Sequence, residues 1–176
     1  MTDKRRRIDV VLESEYLEGL ADLDLDEVRR RRDTAEDVEA QISYYRRLLH
    51  GRMDLLDFEV RRRSGAEERS ILEALPEILA NGMILGSEPT LKHIETMPPI
   101  PSMTGRRLID KIMDDGVLAN LPDLSDADLA EAIERLREVE TQLSGQRRLL
   151  HQVIDTLQDE MVSRYRTQQG EAPVSG

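Results

Sequence analysis

The chain contains no cysteine and no tryptophan in its 176 residues. Without thiols it has no disulfides, no thiolate nucleophile and no cysteine-based zinc site. Aromatic residues make up only 3%. Aromatic and β-branched residues never cluster in alternation, which argues against a β-sandwich. No apolar run approaches the roughly 18 residues of a membrane span, and no hydrophobic stretch follows the basic N-terminus in the manner of a secretory signal. The expected location is the cytoplasm, with no membrane contact.

What is abundant is charge. Charged residues reach 35% and the formal net charge is −11. Such a balance opposes direct DNA binding, and the arginine clusters Arg5 to Arg7, Arg29 to Arg32 and Arg61 to Arg63 are local exceptions. An acidic protein with basic clusters fits a basic protein surface, such as a DNA-binding protein kept off its DNA. The length suits one domain with one core. Leucine, glutamate, aspartate and arginine in excess fit an all-α chain of long helices packed through aliphatic seams.

The chain carries an internal repeat. Residues 37–59 (DVEAQISYYRRLLHGRMDLLDFE) align without a gap to residues 138–160 (EVETQLSGQRRLLHQVIDTLQDE), 101 positions later, with 12 of 23 identical. The block RRLLH recurs whole, and the same offset relates Leu17, Leu20 and Leu23 to Leu118, Leu121 and Leu124. Asp24 with Glu27, and Ser125 with Asp128, read as an N-cap residue with an acid three positions on. The spacing predicts helices from about residue 25 to about 62 and from about 126 to about 166, each near 60 Å long.

Helices of that length need a partner along a continuous seam. The expected seam is Val28, Ala35, Ile42, Leu49, Met53, Leu56 and Val60 against Leu129, Ile133, Leu136, Leu143, Leu150, Ile154, Leu157 and Met161. The predicted organisation is a partly disordered N-terminal segment (1–21), a first long helix (22–63) and a connector (64–121). A second long helix (122–167) and a disordered tail (168–176) follow. Within the connector, residues 66–81 read as a helix that Pro76 kinks, and residues 104–115 as a second short helix. Residues 82–101 resist a regular assignment.

Both helices carry the polar stripe Glu-x3-Ser-x2-Arg-x3-His-x3-Asp: Glu39, Ser43, Arg46, His50 and Asp54, then Glu140, Ser144, Arg147, His151 and Asp155. At about 100° per residue the five side chains fall within an arc of roughly 80° over about 22 Å of helix. One such pattern on one helix is usually a solvated face with i,i+3 and i,i+4 pairs. Both copies keep all five while neighbours such as Tyr44/Gly145 and Arg52/Val153 differ. If the copies pack antiparallel, a twofold-related pair of stripes faces a ligand of matching symmetry. Arginine contacts guanine O6 and N7 bidentately, and a carboxylate accepts from base N–H groups.

Two other readings stay open on the residues alone. A structural or adaptor coiled coil would use the stripe only to fix register. A metal-binding helical hairpin would use His50 with Asp54 and His151 with Asp155. Arginine in the stripe opposes a cation, however, and the Glu-x-x-His spacing of di-iron bundles is absent. Nothing supplies a nucleophile with an oxyanion site or a glycine-rich phosphate loop, so the chain reads as a non-enzyme. His93 reads as a loop residue.

The stripe resembles the signature of the RsiG family of actinobacterial anti-sigma factors, Glu-x3-Ser-x2-Arg-x3-Gln-x3-Asp, present once on each of two helices. Eight of the ten positions match; His50 and His151 stand where the family has glutamine. The resemblance covers the two motif segments strongly and the connector little. It implies an antiparallel intramolecular coiled coil that binds cyclic di-GMP, as a dimer of the dinucleotide, through the ten stripe residues. It further implies sequestration of a WhiG-type sporulation or flagellar sigma factor away from RNA polymerase. No metal cofactor is implied.

Overall fold

The computed structural model describes residues 6–84, 116–168 and 170, and among them every regular element is helical. The elements are α1 (Arg7–Leu12), α2 (Leu25–Arg63), α3 (Ile71–Ile84), α4 (Gly116–Ala119) and α5 (Asp126–Gln168), with short 3-10 turns at Leu20–Asp22 and Leu121–Asp123. The protein is all-α. Its two long helices, α2 and α5, pack as an antiparallel intramolecular coiled coil joined by a connector that holds the short helices. The helix expected over 104–115, and His93, lie outside the described residues.

Local chemistry sets the helix ends. Asp24 Oδ1 accepts the Glu27 N–H at 2.7 Å, and Ser125 Oγ accepts the Asp128 N–H at 3.1 Å, each satisfying a donor of the first turn. The C-terminus of α2 closes when the Ala66 N–H reaches the Arg61 carbonyl and the Gly65 N–H reaches that of Arg62, at 2.9 and 3.2 Å. This arrangement needs the left-handed backbone of Gly65, φ 77°. A reciprocal Ser70–Glu73 box starts α3 at Ile71 rather than at residue 66, and Pro76 lies inside that helix.

The chain divides into two compact units, residues 1–42 with 145–176, and residues 43–144. In the first, partner numbers fall on α5 as they rise on α2: Arg29 bonds Tyr165, Arg32 bonds Gln158 and Arg147 bonds Glu39. Its buried residues are Val11, Val28, Ala35, Val38 and Ile42, with Leu150, Val153, Leu157 and Met161. The segment ahead of α2, expected to be partly disordered, has the short helix α1 with Val11 buried and Arg7 paired to Asp37.

In the second unit the helices again run antiparallel, with Asp57 near Arg137 and Arg63 bonded to Asp126. Leu56, Leu121, Leu129, Ala132 and Ile133 form one cluster. Phe58, Ala74 and Ile78 form another, through which α3 folds back on α2.

The seam differs in detail from the pattern expected. Val28, Ala35, Ile42, Leu49 and Leu56 are buried at intervals of seven, and Leu129, Leu143, Leu150 and Leu157 are the buried members of the matching seven-residue row of α5. Val60 is instead 42% exposed, and Met53, Leu136 and Ile154 are only half-buried. Met53 and Val60 belong to the same seven-residue row as Glu39 and Arg46, which flanks the dry seam. The second buried row includes Val38, Ala132, Val139 and Val153. Polar residues such as Arg31, Arg52 and Glu59 interrupt it in the sequence.

One member of that row, Glu59, is 1% exposed. The Arg62 guanidinium, and then that of Arg63, hold its pKa down at about 2 against the opposing effect of burial. Arg63 also donates to the carbonyls of Leu121 and Leu124, at 2.9 and 2.7 Å. In the first unit the repeat-equivalent Arg164 bonds Glu160 and donates to the carbonyls of Leu20 and Leu23. Each long helix thus ends in an arginine clamp on the segment leading into the other, which satisfies carbonyls that lie outside regular helix.

Truncating a wholly buried seam residue should cost far more than truncating the flanking row. Leu150→Ala is expected to lower unfolding free energy by about 2–5 kcal/mol, and Val60→Ala to stay within about 0.5 kcal/mol. Urea denaturation of both variants checks the assignment.

Candidate functional site

The stripe residues divide between the two units, and each unit holds the same constellation. In the first, Arg147 Nε donates to Glu39 Oε1 at 2.8 Å, and His151 Nε2 lies 3.4 Å from the same oxygen. In the second, Arg46 donates to Glu140 Oε1 from Nη2 at 3.0 Å and from Nε at 3.3 Å, and His50 Nε2 lies 3.3 Å from it. Ser144 Oγ adds a donor to that oxygen at 2.6 Å. The contacts map onto one another through the 101-residue repeat: the glutamate of one copy meets the arginine and histidine of the other.

The reason lies in the register. Glu39 and Arg46 are seven residues apart, on the row flanking the seam, as are Glu140 and Arg147. In an antiparallel pair that row faces its own equivalent, so one helix's glutamate comes opposite the other's arginine. The helical spacing of the motif defines the stripe, but the identity of the partner depends on the direction of packing.

Both glutamates are partly desolvated, with side chains 18% and 22% exposed for Glu39 and Glu140. Burial opposes ionisation of Glu140. The hydrogen bonds from Ser144, Arg46 and His50 together outweigh it and hold the carboxyl below its usual range. An ionised carboxylate is therefore the favoured state in this unit, and its Oε1 accepts from Ser144 and Arg46 with His50 beside it.

The two aspartates differ. Asp54 has one carboxylate oxygen buried without a hydrogen-bond partner, and burial pushes its pKa up, with His50 opposing. Asp155, its counterpart in the other unit, is exposed. Ser43 is half-buried and engaged. The geometry thus gathers Glu, Arg and His in each unit and Ser144 in one, and leaves each aspartate a turn beyond His50 or His151.

Among the described residues there is no group of three or more His, Asp or Glu placed to hold a metal ion. Each arginine instead supplies the cation that balances its glutamate. What the arrangement offers in each unit is a set of acceptors and donors, with the guanidinium held by a carboxylate at a partly buried edge. In a partly buried ion pair of this kind the desolvation of both charges offsets much of their attraction, so the net contribution is small.

The depressed pKa of Glu140 has a defined sign. Its contribution to stability is present above the unfolded value near 4.5 and is lost as pH falls through the lower folded value. The stability gap between wild type and Glu140→Gln should therefore narrow on going from about pH 5 to about pH 3. Urea midpoints across that range check it, and a constant gap would contradict the ionised, hydrogen-bonded state.

No helix among the described residues is long and apolar enough to cross a membrane. No curated protein matches the chain closely enough to count as a relative. A family model does match, over residues 14–79 and 115–175, which take in both long helices and both copies of the stripe; the chain belongs to the RsiG-like family.

Proposed function

We propose that the protein is a non-enzymatic anti-sigma factor that binds cyclic di-GMP through the duplicated stripe and sequesters a WhiG-type sigma factor from RNA polymerase. Membership of the RsiG-like family supports the anti-sigma role, and the net charge of −11 suits a partner with a DNA-binding surface. The observation that carries the ligand assignment is the recurrence of one Glu–Arg–His constellation in both units. Each unit by itself presents the glutamate, arginine and histidine that a guanine base would engage.

The energetics permit the exchange this demands. The net worth of the partly buried Arg46–Glu140 and Arg147–Glu39 pairs is small, because desolvation of both charges offsets much of their attraction. A bidentate arginine contact to guanine contributes about 1–3 kcal/mol. Guanine can therefore displace the carboxylate from the guanidinium, and the freed glutamate can accept from the N–H groups of the base. Asp54 and Asp155 supply further acceptors, Ser43 and Ser144 hydroxyls. His50 and His151 both donate and accept, as a glutamine does at that position in the family signature.

A second reading draws on the same contacts. Because each motif arginine is already satisfied without ligand, the stripe also suits a purely structural role in fixing register. Calorimetry with cyclic di-GMP separates the two readings. Binding at micromolar concentration, with or without a sigma factor, is the expected result, and its absence under both conditions contradicts the proposal. Arg46→Ala or Arg147→Ala should weaken binding by about 5- to 150-fold, equivalent to 1–3 kcal/mol, whereas His50→Gln with His151→Gln should retain it.

A further inference from the structure

The arginine that follows each motif arginine has a different environment. Arg47 and Arg148 are equivalent in the repeat, each the second residue of an RRLLH block, and both are exposed. Most other arginines of the long helices have an acidic partner. Arg30 and Arg31 hold Glu27, Arg32 holds Asp33, Arg62 and Arg63 hold Glu59, Arg135 holds Glu131, and Arg164 holds Glu160. Arg47 and Arg148 enter no ion pair among the described residues.

The local sequence explains why. One turn either side of Arg47 stand Ser43, Tyr44, His50 and Gly51; around Arg148 stand Ser144, Gly145, His151 and Gln152. No acid lies within i±3 or i±4 in either copy, in a chain where acids outnumber bases by 36 to 25. Among the described residues each guanidinium is thus without an ion-pair partner, in sequence that is otherwise rich in carboxylates.

Their direction is equally specific. At about 100° per residue, position 47 lies about 20° beyond Asp54 on the outer edge of the stripe, on the side away from the seam. Position 148 lies likewise beyond Asp155. The stripe itself carries four carboxylates against two arginines, and those arginines are already paired. An anionic ligand meets a net negative surface there unless further cations flank it.

We infer that Arg47 and Arg148 are phosphate-binding residues that hold the phosphodiester groups of the ligand while the stripe reads its bases. The inference rests on the cyclic di-GMP reading. It adds to that reading a division of labour, with the first arginine of each block on the base and the second on the backbone. A guanidinium forms charge-assisted bonds with phosphate oxygens, and a free one gives up no protein contact to do so.

The test is calorimetric titration of the full chain with cyclic di-GMP, comparing wild type with the doubly substituted Arg47→Ala/Arg148→Ala and Arg47→Lys/Arg148→Lys. Thermal midpoints should match wild type, since neither side chain is paired. The alanine variant should bind about tenfold or more weakly, with the deficit shrinking as salt is raised. The lysine variant should recover most of the affinity, because a point charge suffices for phosphate. Wild-type binding that the alanine variant keeps in full overturns the phosphate role and leaves the parent reading standing. That includes the case in which only capture of an acidic protein surface is lost. No binding by wild type overturns the parent reading and this one together.

Discussion

Each motif glutamate is neutralised by the arginine of the other motif copy, Glu39 by Arg147 and Glu140 by Arg46. This exchange depends on two properties of the chain. The motif is duplicated at a constant offset, and the two helices run antiparallel. With either property missing, the carboxylates beside the seam would lose their counter-charges, and charges at the edge of a dry interface are costly when unpaired. The aliphatic rows supply the cohesion, and the crossed pairs suit one direction of packing.

The same duplication is used a second time at the helix ends. Arg63 and Arg164 each bond an acid one turn back and then two carbonyls of the segment that leads into the other long helix. The clamp ties a 3-10 turn, Leu121–Asp123 or Leu20–Asp22, to a helix terminus. Both polar devices follow the repeat, one along the flank of the coil and one at its ends. The clamp glutamates are unequal in exposure, Glu59 at 1% and Glu160 at 27%, whereas the stripe glutamates are both near a fifth.

Much of this was legible in the residues. The all-α class followed from composition and period, the cap residues Asp24 and Ser125 marked where the long helices begin, and the repeat exposed the stripe. The errors have physical causes. Val60 reads as seam because three- and four-residue steps do not separate the buried row from its flank, and only the antiparallel partner makes that distinction. Val38, Val139 and Val153 were missed because polar residues break up their row. The arginine clamps were missed because the compared window stopped at Glu59 and Glu160, one turn short of Arg63 and Arg164. The crossed Glu–Arg pairing depends on a second helix, so the pattern on either helix alone could not reveal it. The burial of Asp54 but not Asp155 reflects differences between the units that the repeat does not encode.

The central claim is that the ligand takes the place of the glutamates on Arg46 and Arg147. The most direct measurement is an NMR titration that follows the Nε–H resonances of these two arginines as cyclic di-GMP is added to the full chain. The account predicts that both resonances move and reach saturation together, because each unit presents the same constellation. Saturable binding with both resonances left at their ligand-free positions would contradict it.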